Sequence, residues 1–122
     1  MSYGYELILD LHGCDVSKFN RTDIHRFFKE LCRIIDMKRC GDSFCDDWQV
    51  PKKYRQTSPQ TKGISATQYI ITSSISIHCL DLLGKVFVNI FSCKNFNRHI
   101  AENFVSEFFN ARSCGMHFIK RL

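Results

Sequence analysis

The chain has 122 residues, 44% hydrophobic and 24% charged, which is ordinary globular composition and excludes a disordered chain. A chain this size buries roughly two-thirds of its unfolded surface, so the expectation is one domain, 1–122, with one core. The net charge of +5 is scattered rather than gathered on one face, which argues against a nucleic-acid binder.

The elements follow in chain order. Tyr5 to Leu11 is rich in Ile and Leu and reads as a strand, ended by Gly13 and Asp15. Asn20 or Thr22 caps a helix on which Phe27, Phe28, Leu31, Ile34 and Ile35 recur at helical spacing. After Gly41, Phe44 to Val50 reads as a short strand. Pro51 to Lys62 is polar, holds both prolines and is an exposed loop. The β-branched, hydroxyl-rich run from Gly63 to Leu80 is strand material, with clean alternation in its second half. Asp81 to Gly84 turns the chain into the strand Lys85–Cys93. Asn95 or Asn97 caps a second helix carrying Ile100, Phe104, Val105, Phe108 and Phe109 on its apolar side. A last short strand follows Gly115. This order gives an α+β fold, a two-layer sandwich with an antiparallel sheet and two helices packed on one face.

No apolar run reaches about 18 residues, so no transmembrane helix is expected. The N-terminus lacks a basic region and carries Glu6 and Asp10 in its apolar stretch, unlike an export signal. Seven cysteines, an odd number, then fit a reducing cytoplasm better than a disulfide framework. Cys40 and Cys45 lie close without a matching second pair, so no metal site is expected.

The segment Thr72-Ser73-Ser74-Ile75-Ser76-Ile77-His78 crowds hydroxyls ahead of an imidazole. Gly63-Ile64-Ser65 precedes it, and Val88-Asn89-Ile90-Phe91-Ser92-Cys93 follows. Together these resemble the core of the bacterial and archaeal S-adenosylmethionine decarboxylase proenzymes, with their G-V-S-G, E-S-H-L-[ST]-I-H-T-W-P-E and T-C-G motifs. Leu9 to Asp15 also resembles that family's opening strand and Gly-Cys-Asp turn. The match runs without gaps from Gly63 to Cys93.

The resemblance implies a pyruvoyl-dependent decarboxylase of the polyamine pathway, whose product is the aminopropyl donor for spermidine. Carried over residue by residue, Ser73 is the source of the pyruvoyl cofactor. Self-cleavage between Thr72 and Ser73 then leaves a β chain 1–72 and an α chain 73–122. Ser65 would steady the cyclic processing intermediate, and His78 would take the α-proton for elimination. Cys93 would protonate the α-carbon after CO2 leaves. The resemblance also implies S-adenosylmethionine as substrate, a homodimer, and neither nucleic acid nor membrane as partner.

The departures from the pattern fall in two groups. Thr72 and Ser74 stand where the family has Glu and His. Leu80-Asp81-Leu82 replaces Trp-Pro-Glu, and the family's adenine-stacking aromatic falls near Pro59. Asp81 and Tyr54 are the nearest replacements for substrate binding. Two alternatives follow: a pyruvoyl ornithine or arginine decarboxylase on the same scaffold, or an unprocessed, non-catalytic homologue that binds a partner. Periodicity adds a constraint. Ser74, Ser76 and His78 share one strand face and Ser73 lies on the other, so His78 reaches Ser73 only through a bend, a bulge or a partner strand.

Overall fold

The computed structural model describes residues 2–47 and 49–122. Six strands, β1 (Gly4–His12), β2 (Arg39–Cys45), β3 (Gly63–Ile70), β4 (Ser73–Leu80), β5 (Lys85–Ser92) and β6 (Ser113–Arg121), form one sheet. Two helices, α1 (Arg21–Ile34) and α2 (Arg98–Phe108), accompany them. The strand order is β2-β3-β4-β5-β1-β6, and every neighbouring pair is antiparallel. This is the α+β two-layer sandwich expected from the sequence.

Alternation decides which face is covered. Leu7, Leu9 and Leu11 of β1, Ile75, Ile77 and Cys79 of β4, and Val86, Val88 and Ile90 of β5 point one way and are fully or almost fully buried. They meet Ile24, Phe27, Phe28 and Leu31 of α1 and Ala101 and Val105 of α2 in one core. Burying each such side chain is worth roughly 1.5–3 kcal/mol. The helices begin where an asparagine satisfies their free amides. Asn20 accepts from the Asp23 amide, and Asn97 accepts from the His99 and Ile100 amides. Phe27 ties the helices together, its ring within 5.1–5.9 Å of Phe28, Phe104, Phe108 and Phe109.

Three sequence expectations need correction. The strand read over Phe44–Val50 is instead β2, Arg39–Cys45, and the expected span includes Trp48, which lies outside the described residues. β2 pairs with β3 through a register shift between Arg39 and Gly41, which hid its periodicity. The run Gly63–Leu80 is two strands, because Ile70 pairs with Ser73 and the chain reverses over Ile71 and Thr72. The final strand starts at Ser113 and pairs along all of β1. No helix among the described residues is long and apolar enough to cross a membrane.

Replacing Phe27 by Ala removes the ring shared by both helices. A loss of about 3–5 kcal/mol in folding free energy is expected, measured by urea denaturation.

Candidate active site

β4 starts at Ser73, the first residue after the hairpin turn. Its neighbour β5 ends at Ser92, which is buried. The Ser92 hydroxyl donates to the Lys94 carbonyl at 2.6 Å and accepts from the Lys94 amide at 3.1 Å. That local clasp ends the strand and presents Cys93 to Ser73. The Cys93 amide donates to Ser73 Oγ at 3.1 Å, and the Ser73 hydroxyl donates toward Cys93 Sγ at 3.7 Å. The pair opens on a cavity of about 340 Å³, which Met37 and Lys38 after α1, Ile70 at the end of β3, Ile71 of the turn, and Lys94 also line. Lys94 Nζ donates to the Asp36 carbonyl, tying the segment after β5 to the end of α1.

Ser65 and His78 stand opposite one another on β3 and β4, and Ser65 Oγ and His78 Nδ1 share a hydrogen bond of 2.8 Å. They lie on the sheet face that the helices leave uncovered. β3 can start so close to β4 because Gly63 has no side chain: a Cβ there would collide with the Cys79 carbonyl oxygen. The loop after β2 returns Tyr54 to this end of the sheet, where it lines a hollow of about 140 Å³ with Cys45, Gly63 and Ser65. Asp81 lines the neighbouring hollow of about 280 Å³, with Arg21, Lys62 and Asp47 around it.

The four residues assigned to one centre therefore divide into two pairs within a chain. Ser73 meets Cys93, and Ser65 meets His78. His78 is five residues along β4 from Ser73, a separation of about 16 Å at ordinary strand rise. The alternation argument anticipated this obstacle, and no bulge interrupts the β3–β4 or β4–β5 pairing to remove it. Tyr54 and Asp81 group with the Ser65–His78 pair, away from Ser73. Sequence reasoning missed Ser92 and Lys94. The available signal for Lys94 was its place after Cys93, where the resembled family has glycine. Cys79, next to His78, faces the core, and burial pushes its thiol well above the usual range. It is a filler, as the cysteine usage suggested.

The model of the S-adenosylmethionine decarboxylase family matches residues 5–122. The chain belongs to that family. The S-adenosylmethionine decarboxylase proenzymes of several Clostridium botulinum strains are 31% identical to it over 91 residues, 74% of this chain and 68% of theirs. The crystal structure of the adenosylmethionine decarboxylase from Aquifex aeolicus VF5 superposes with a TM-score of 0.77 over 98% of this chain and 91% of that one. At 17% identity that likeness establishes the fold. The family places the chain among the decarboxylases, a class of carboxy-lyases.

Burial raises the Asp81 carboxyl above the usual carboxylate range, with Lys62 opposing the rise and Asp47 adding to it. A carboxyl raised in the folded state binds its proton more tightly there than in the unfolded chain. It therefore costs stability once the pH climbs past its unfolded value of about 3.9. Asp81→Asn is expected to raise the melting temperature at pH 7, with the gain shrinking as the pH falls below 4. Thermal melts at both pH values check this.

Proposed function

We propose that the protein is a pyruvoyl-dependent S-adenosylmethionine decarboxylase that cleaves itself between Thr72 and Ser73. The observation that carries the reading is the contact of Ser73 Oγ with the Cys93 amide and thiol, at the head of β4 and beside a cavity.

Ser73 begins the reaction as an ordinary residue. Its Oγ attacks the Thr72 carbonyl carbon, the amide C–N bond breaks, and the hydroxyl proton ends on the Ser73 nitrogen, leaving an ester. A base then takes the Ser73 α-proton. The Cβ–Oγ bond breaks and Thr72 leaves as a carboxylate. The dehydroalanine that remains takes up water and loses ammonia, which produces the pyruvoyl group. The site fits that group: residue 73 sits at the cavity mouth, and Cys93 is the side chain against it. Once formed, the pyruvoyl group supplies an electron sink for the charge that CO2 leaves behind. Cys93 Sγ holds the proton returned to the α-carbon, and burial of Ser92 keeps that thiol in place. The decarboxylated product carries the aminopropyl group used in spermidine synthesis.

The base is His78 of a second copy. Within one chain it lies about 16 Å away along β4, too far to reach the α-proton. The face carrying His78 also displays Ser74, Ser76, Phe87 and Phe91, with no helix over it. Two copies laid face to face about a two-fold axis over the middle of β4 place the partner's His78 opposite Ser73, and the reverse. The partner's Ser65, Tyr54 and Asp81 then arrive at the same end. At the ester stage the link from Thr72 to residue 73 is one bond longer, which lets residue 73 turn its α-proton toward the opposite copy before elimination cuts the chain.

The family match supports S-adenosylmethionine over ornithine or arginine as the substrate. Release of labelled CO2 from carboxyl-labelled S-adenosylmethionine, with none from ornithine or arginine, is expected; the opposite preference overturns the substrate assignment.

Ser73→Ala is expected to remain one intact chain, and His78→Ala to stall as an ester that hydroxylamine cleaves. Coexpressing the two variants tests the shared site. The His78→Ala chain should mature when paired with the Ser73→Ala chain, which still carries His78. Failure to mature in a mixed dimer confirmed by native mass contradicts the two-copy arrangement.

A further inference from the structure

Thr72, the residue on the amino side of the bond that self-processing would cut, adopts φ +63°. Two other non-glycine residues, Asp36 (φ 57°) and Asn110 (φ 49°), share that region, and both are types that enter it readily. Threonine is β-branched, and at positive φ it is a true outlier. The turn has positive φ at its second residue and not its first, the pattern that calls for glycine or asparagine there. Nothing local rewards the conformation: Thr72 is exposed, and among the described residues its side chain makes no hydrogen bond.

Its surroundings impose it. Ile70 pairs with Ser73 and Tyr69 with Ser74, so two residues must close the hairpin. On the other side Ser73 is held by the Cys93 amide. Strain of this kind persists where the neighbouring structure over-determines it.

Resting on the self-processing reading above, we propose that the left-handed backbone of Thr72 is a strain device that drives the amide-to-ester step at Ser73. In that step the Thr72 carbonyl carbon loses its bond to the Ser73 nitrogen and gains one to Ser73 Oγ, while the hydroxyl proton moves to nitrogen. The connection from that carbon to Ser73 Cα now runs through Oγ and Cβ, one bond longer than through nitrogen. The two-residue turn gains slack at the moment the ester forms. The later elimination makes Thr72 a chain end and removes the constraint altogether. Thr72 acts here as a positioning residue through its backbone, and its hydroxyl has no part.

The test follows newly synthesised chain by denaturing gel as the fragments 1–72 and 73–122 accumulate. Thr72→Val keeps the β-branch without the hydroxyl and should cleave at the wild-type rate. Thr72→Gly and Thr72→Asn relieve the strain and should cleave more slowly, about tenfold for glycine. In the uncleavable Ser73→Ala chain, adding Thr72→Asn should raise the melting temperature. Cleavage of Thr72→Gly at the wild-type rate overturns the strain device and leaves self-processing standing. A slow Thr72→Val overturns it in favour of hydroxyl chemistry. A wild-type chain that stays intact overturns both.

Discussion

The pairing register of β3 and β4 is the constraint from which the site follows. Ile70 opposite Ser73 leaves two residues for the turn, and that count bends Thr72 into the left-handed region. The same register sets Ser65 opposite His78 and brings them within hydrogen-bonding distance. Slipping the pairing by one residue would turn Ile75 and Ile77 out of the core, so burial fixes the register strongly. The geometry of the hairpin is thus locked by apolar residues buried in the core.

The second consequence is distance. A straight, fully paired β4 holds Ser73 and His78 at opposite ends, and on opposite faces by alternation. A chain of this size has room for one sheet and one layer of helices, which leaves the other face of the sheet without cover. In the proposed two-copy arrangement, a second copy on that face would both bury it and join the separated pairs, so one symmetric contact would answer the packing problem and the catalytic one. Lys94 adds a feature of this chain's own, a cation beside Cys93 anchored to the end of α1.

Much of the fold was legible because core positions obey simple periods. The leucines of β1 and most of the apolar faces of α1 and α2 were readable at spacings of two and of three to four, although Ile100, read onto the α2 face, is exposed, and each cap was narrowed to two residues of which Asn20 and Asn97 are the ones used. β2 was misplaced because it is an exposed edge strand whose register shifts near Arg39, so neither burial nor alternation marks it. The Ile71–Thr72 turn was invisible because it lacks the glycine or asparagine that signals a reversal, and that missing signal is what makes it strained. At the site, the pairings of Ser73 with Cys93 and of Ser65 with His78 depend on cross-strand register, which a linear sequence does not display. Tyr54 and Asp81, read from the sequence as substrate-binding candidates, lie at the Ser65–His78 end.

Mass spectrometry of the freshly purified protein under denaturing conditions tests the central claim most directly. Self-processing at Ser73 gives two fragments, residues 1–72 and 73–122, the second blocked at its amino end and carrying the mass of a pyruvoyl group in place of serine. A single intact chain, or a break at any other bond, contradicts the account.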